Sequence, residues 1–157
     1  MAIKIRRARI EDLKQVQDLS LLLFKKETKE YDEALDENWT FSKIGTKFFS
    51  DHIQAEKNCT LIAEDGEQVI GYLAGGLNKK CSWRKIGKIA SLKNLFIKDE
   101  YRGQGVGTEL VKMFKDWCRE KKIQRIDVTA AARNHAGINF YKKQGFEDYH
   151  VTLELSL

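Results

Sequence analysis

The spacing of apolar residues divides the chain into ten segments, six with the period of a strand and four with that of a helix. Ile3 to Ala8 alternates apolar and basic residues, and Ile10 to Phe24 carries Leu13, Val16, Leu19, Leu23 and Phe24 on one helical face. Ile44, Phe48, Phe49 and His52 or Ile53 share a second helical stripe through residue 55, with Thr40 or Ser42 available as its cap. Cys59 to Ala63 and Val69 to Leu77 are strands turning at Asp65-Gly66, an antiparallel hairpin. A basic loop or wide hairpin, Asn78 to Lys88, leads into a long strand over 87–97. Leu110, Val111, Phe114, Trp117 and Cys118 then mark a third helix that ends near Lys121 and Lys122. Ile126 to Ala130 is strand-like, and Asn134 can cap a fourth helix that runs to Gln144, where Gly145 supplies a left-handed stop. From Phe146 to Leu157, Tyr149, Val151, Leu153 and Leu155 alternate with polar residues, which predicts a closing strand. The order β-α-α-β-β-β-α-β-α-β predicts an α+β fold.

Composition narrows the class. A chain of 157 residues, 42% hydrophobic and without proline, is expected to form one domain over 1–157. No run is apolar enough for a membrane span, and the N-terminus passes into a charged strand, so a soluble, cytoplasmic protein with no membrane partner is expected. Cys59, Cys81 and Cys118, like His52, His135 and His150, are scattered, which fits neither a disulfide framework nor a zinc site. No metal is expected. The net charge of +5 admits a nucleic-acid-binding protein as a remote alternative. Lys79, Lys80, Arg84, Lys85 and Lys88, the densest basic region, read more readily as a solvated hairpin, and no nucleic-acid partner is expected. The sharpest charge contrast lies between Glu27 and Glu37, where six acids stand against Lys29.

The stretch Tyr101-Arg-Gly-Gln-Gly-Val-Gly-Thr-Glu-Leu110 changes this picture most. Glycines at 103, 105 and 107 close an apolar strand and open an amphipathic helix. The first N–H groups of a helix have no intrahelical partner, and glycines strip away the side chains that would keep an anion from them. A nucleotide kinase would follow the last glycine with lysine, where this chain has Thr108 and Glu109. A dinucleotide fingerprint needs G-x-G-x-x-G after an early strand, whereas here the pattern is G-x-G-x-G after a late one. A diphosphate held without metal, as in coenzyme A, fits better; a plain turn and helix start is the competing reading.

Arg102-Gly-Gln-Gly-Val-Gly107 matches R/Q-x-x-G-x-G/A, and Asn134 to Phe146 matches N-x-x-A-x-x-x-Y-x-x-x-G-F. With Ile5-Arg-Arg-Ala and Asp12 near the start, the whole chain resembles the GNAT superfamily of acetyl-CoA-dependent N-acetyltransferases. The resemblance implies a mixed, mostly antiparallel central sheet flanked by helices, and acetyl-CoA as acyl donor. It implies that main-chain groups of Leu95 and Ile97, with Phe96 between them, pair with the pantetheine arm where two strands splay. It further implies that N–H groups from Arg102, Gly103, Gln104, Gly105, Val106, Gly107 and Thr108 hold the pyrophosphate, and that an N–H of the 95–97 strand meets the thioester oxygen. Asn134 would contact the cofactor while capping its helix, and Tyr141 would serve as general acid toward the leaving sulfur.

One departure from the family pattern bears on mechanism. Many relatives carry a glutamate on the strand before the glycine motif, where this chain reads Leu92-Lys93-Asn94-Leu95. The acceptor's proton then goes to an acid of the Glu27 to Glu37 segment, to a water chain, or to bulk solvent acting on a neutral amine. Glu27, Glu30 and Asn94 are the candidate acceptor residues. The expected function is acetyl transfer to a primary amine, a small cationic amine or a peptide amine, by direct attack in a ternary complex. A non-catalytic acyl-CoA-binding or regulatory protein on the same fold is the alternative, and a homodimer through the late strands is allowed.

Overall fold

The computed structural model describes residues 2–157, and its five strands form one sheet in the order β1-β2-β3-β4-β5. β1 (Ile3–Arg7), β2 (Asn58–Asp65), β3 (Gln68–Leu77) and β4 (Ile89–Ile97) pair antiparallel in succession, and β5 (Arg125–Val128) pairs parallel with β4. The helices are α1 (Leu13–Glu30), α2 (Lys43–Gln54), α3 (Val106–Glu120) and α4 (His135–Lys143). None of them is long and apolar enough to cross a membrane.

Because strand side chains alternate between faces, the sheet carries two cores. Ile62, Tyr72, Ala74 and Phe96 meet Val16 and Leu19 of α1 and Phe49 and Ile53 of α2. Leu61, Ala63, Leu73 and Leu92 meet the α3 stripe, in which Leu110, Val111, Phe114, Trp117 and Cys118 are all buried as their spacing predicts. Each such Leu or Phe contributes about 1.5–3 kcal/mol by leaving water, so the two layers clamp the sheet between them. The start of α1 is fixed to the sheet by charge. Arg6 on β1 reaches Asp12 at 2.8 Å and Glu64 on β2 at 3.2 Å, and the buried Asp12 also accepts from the Arg9 N–H at 2.7 Å.

Three expectations are corrected. The first helix does not stop at Phe24 but runs to Glu30, so Glu27 and Glu30 are helical rather than part of a connecting loop. Nothing in 25–30 breaks a helix, and the Lys26–Glu30 pair at i,i+4 supports the added turn. Ile44, expected on the buried stripe of α2, is 71% exposed. Ser42 caps this helix by accepting from the Gly45 N–H at 3.0 Å, and Gly45 is pressed on the Trp39 carbonyl, where an added Cβ would lie 2.0 Å from the oxygen. That docking turns Ile44 outward. Last, residues 146–157 form no ladder with the sheet, which ends at β5.

Candidate active site

The turn into α3 presents a row of unused main-chain donors. Gly103 and Gly105 sit at φ of 72° and 83°, in the left-handed region where other residues cost about 1–2 kcal/mol. The first hydrogen bond of the helix is Glu109 N–H to the Gly105 carbonyl at 3.0 Å. The N–H groups of Gly103, Gln104, Gly105, Val106, Gly107 and Thr108 therefore find no acceptor among the described residues. With the positive end of the helix dipole behind them, they form a cradle that fits a diphosphate and needs no metal.

The strand that leads into this turn, β4, runs past its neighbour β5. Only Ile89 to Leu92 pair with β5, through Leu92 opposite Val128, while β4 continues to Ile97. Ile126 to Ala130 was the expected strand, and its pairing stops at Val128 because the two strands part there. The edge of β4 beyond Leu92 is thus open on the β5 side, as a strand-like ligand requires. Across β3, the register shifts so that Leu92 faces Gly75 and Asn94 faces Ala74, which leaves Lys93 without an opposite residue. A bulge of this kind re-aims side chains beside a site.

Of the residues expected on this edge, Leu95 packs toward α3 and Phe96 toward α1 and α2. The Ile97 carbonyl already accepts from Arg102 Nε at 2.8 Å. Arg102 also pairs with Asp99 at 2.9 Å and lies over the Phe96 ring at 5.3 Å. Its side chain is turned back onto the strand end, where it braces the turn.

α4 brings the second motif against the first. The Phe140 ring packs on Gly107, leaving an added Cβ there only 3.3 Å, and Gln144 Nε2 donates to Thr108 at 3.3 Å. Asn134 caps α4, its Oδ1 accepting from the Gly137 N–H at 2.9 Å. Just before it, Arg133 donates to the Tyr31 carbonyl at 2.7 Å, tying this corner to the end of α1. Tyr141 is wedged edge-on between Phe140 and Phe146, and its hydroxyl has no hydrogen-bond partner among the described residues. Burial first, and then the nearby Glu27 charge, push its phenol up to about 12, so the proton stays on oxygen at neutral pH.

The two helical acids differ. Glu30 is exposed and bound to Lys26 at 2.6 Å, which with the Tyr31 hydroxyl lowers its pKa. Glu27 is half-buried without an ion pair, its charge felt by Tyr141, Tyr72 and Tyr31. Burial raises the Glu27 pKa, partly offset by Lys26. Beside the bulge, Phe24, Ala34, Leu35, Asp36, Trp39, Phe48, Lys93 and Asn94 line a cavity of about 460 Å³. Asn94 is the one expected acceptor residue in it; the aromatic wall was missed. Trp39 stacks on Phe24 at 5.7 Å and meets Phe48 edge-on at 5.5 Å, contacts between three segments that no local period announces. The thiols of Cys59 and Cys118 are buried and pushed up to about 11 and about 12, which leaves them unsuited to nucleophilic work.

The family model for the acetyltransferase (GNAT) family matches residues 16–146. An uncharacterized N-acetyltransferase MJ1207 of Methanocaldococcus jannaschii is 28% identical over 87 residues, 54% of this chain and 38% of that one. The chain thus spans well under half of that relative's length. An N-alpha-acetyltransferase of Sulfurisphaera tokodaii is 26% identical over 156 residues, 94% of this chain and 82% of that one. Among solved structures, AAC(6')-Iy in complex with the bisubstrate analog CoA-S-monomethyl-acetylneamine superimposes with a TM-score of 0.75 at 14% identity, over 100% of this chain and 99% of that one. The glycine turn, the parted strands and the tyrosine helix all fall within the matched region or at its edge, and the chain belongs to the acetyltransferase (GNAT) family.

Proposed function

We propose that the protein is an N-acetyltransferase that uses acetyl-CoA to acetylate a primary amine carried on an apolar or aromatic body. The observation that carries this reading is the run of six unpaired N–H groups from Gly103 to Thr108 at the head of the open β4 edge. The N–H run would hold the pyrophosphate, the open edge after Leu92 the pantetheine, and Asn134 Nδ2, free once Oδ1 caps α4, a further polar contact. When bound, acetyl-CoA supplies the activated acetyl group.

The residues of this chain then manage position and protons. The 460 Å³ cavity seats the acceptor's body on Trp39, Phe24 and Phe48, with Asp36 at hand for a second positive charge. Glu27 stands in for the carboxylate that Lys93 and Asn94 displace from the strand, and accepts the proton that the amine gives up. Tyr141 Oη keeps its proton until a thiolate develops and then donates it. Attack is direct: the buried thiols of Cys59 and Cys118 are unsuited to a covalent relay, and Cys81 lies outside the lining of the acceptor cavity.

Incubation with acetyl-CoA and a panel of aliphatic, aromatic and peptide amines, followed by free thiol, tests the proposal. Amine-dependent thiol release with saturation in both substrates is expected. Tight acetyl-CoA binding with no release above the hydrolysis rate for any amine would favour a non-catalytic acyl-CoA-binding protein.

A further inference from the structure

Strand β4 changes phase at its bulge, and two polar side chains reach one cavity as a result. Leu92 and Leu95 both pack on the α3 side of the sheet, three positions apart, where a regular strand returns to the same face every second residue. Lys93 has no residue opposite it on β3, and pairing resumes at Asn94. A regular strand would aim Lys93 and Asn94 at opposite faces. Here both line the cavity of about 460 Å³ that Phe24 of α1 and Phe48 of α2 wall.

Neither side chain is committed within the chain. Among the described residues, Lys93 Nζ meets no carboxylate and makes no hydrogen bond, and its ammonium lies 5.5 Å from the Phe48 ring. That ring is itself held edge-on by Trp39 and Phe49. The Asn94 amide is likewise without a partner among the described residues. Asp36, the acid in the same cavity, leaves Lys93 unneutralised: its Oδ1 accepts from the Asn38 N–H at 2.9 Å, and no ion pair joins it to Lys93.

An ammonium beside an amide N–H offers the two kinds of donor that the oxygens of a carboxylate accept. A phosphate monoester would set close to two negative charges against one lysine, with Asp36 in the same cavity, and fits less well. We propose that Lys93 and Asn94 form a carboxylate subsite and that the acceptor is an amino acid, with the reacting amine and a free carboxylate on one apolar or aromatic body. This inference rests on the acetyl transfer proposed above. The amine nitrogen bonds to the acetyl carbon, the C–S bond breaks, Glu27 takes the amine's proton and Tyr141 gives one to the thiolate. The carboxylate is unchanged, and the product is an N-acetylamino acid. Lys93, in a place where a glutamate would repel such an acceptor, selects it.

Phenylalanine, leucine and lysine, each beside its decarboxylated amine (phenethylamine, isoamylamine, cadaverine), are compared as acceptors at matched concentrations of neutral amine. At least one amino acid is expected to exceed its amine by about tenfold in kcat/KM, the size of one charge-assisted contact. Lys93→Met keeps the stem and removes the ammonium, and is expected to bring that ratio close to one through the amino acid's KM. Lys93→Arg, which keeps the charge, should retain the preference. Wild-type activity on the amines that equals or exceeds activity on all three amino acids overturns the subsite and leaves acetyl transfer standing. If no acceptor releases thiol, the transfer itself fails, and the subsite is read without turnover or variants. By ligand-observed NMR, hydrocinnamate, which has the carboxylate and no amine, is expected to bind the wild type about tenfold more tightly than its neutral amide does. Equal binding of the two overturns the subsite.

Discussion

The turn that opens α3 and the wall made by the end of α1 with the segment before α2 are built from different materials. The turn offers main-chain N–H groups from Gly103 to Thr108, while the wall offers the side chains of Phe24, Asp36 and Trp39. A row of N–H groups can be specified by three glycines and a helix start, and it binds any diphosphate of the right reach. The wall depends on which side chains meet across segments, so it can change its ligand without changing the fold. On the proposed function, donor binding is the fixed half of the site and acceptor choice the variable half.

The sharpest test of that division acts on Tyr141, held between Phe140 and Phe146 beside the turn. Tyr141→Phe removes the proposed proton donor without altering the turn or the wall. As general acid–base groups contribute about 100- to 10,000-fold, kcat is expected to fall roughly 1,000-fold. Acetyl-CoA affinity by calorimetry should stay within twofold of the wild type. An equal loss of affinity would place Tyr141 in donor binding and blur the comparison.

Glu27→Gln probes the proposed base on α1, outside the glycine turn, with an expected loss of about 100-fold in kcat/KM near neutral pH, at the low end of base catalysis. The base acts when ionised, so activity is present above the Glu27 pKa and lost as pH falls through it. Burial raises that pKa, so the acid limb of the wild-type profile should begin at a higher pH than an ordinary carboxylate gives, and the variant should lack it. Stability runs the other way. A raised native pKa means the ionised group opposes folding, so above that pH Glu27→Gln is expected to melt slightly higher than the wild type. A variant that loses activity and stability together would point to a structural Glu27.

Gly105→Ala weakens the fixed half. Holding alanine at φ of 83° costs about 1–2 kcal/mol, and 1.4 kcal/mol is tenfold in an equilibrium constant, so the Kd for acetyl-CoA should rise about tenfold as the turn relaxes. The added methyl itself meets nothing within 4 Å, so crowding is not the cause. At saturating acetyl-CoA the acceptor's KM should be unchanged.

The same division explains what could be read from the chain. The α3 stripe, the β2–β3 hairpin, the glycine turn and the Asn134 cap are local patterns, and each forms as its spacing predicts. Ile44 failed because its orientation is decided by Gly45 pressing on a carbonyl of another segment. The cavity around Trp39 failed for a related reason: its walls come from α1, the link to α2, α2 itself and the β4 bulge. The bulge at Lys93 has no local signature, since it is a property of the pairing with β3. The final strand failed too: residues 146–157 alternate apolar and polar positions but join no ladder, because alternation specifies a face and not a pairing partner.

The smallest effect expected is on charge recognition by the wall. Asp36→Asn keeps the shape of the side chain and its capping contact, in which Oδ1 accepts from the Asn38 N–H at 2.9 Å. It removes one negative charge from a cavity that also holds Lys93, whose ammonium lies 5.5 Å from the Phe48 ring. Because Asp36 is exposed, the attraction it exerts is close to the ~1 kcal/mol that two unit charges at 4 Å have in water, about fivefold in KM. That loss is expected for a diamine acceptor at low salt and should vanish for a neutral-bodied monoamine. Raising the salt to several tenths molar should erase the difference between variant and wild type, because the Debye length then drops below ~8 Å. An unchanged diamine KM at low salt would mean that the wall selects by aromatic contact alone.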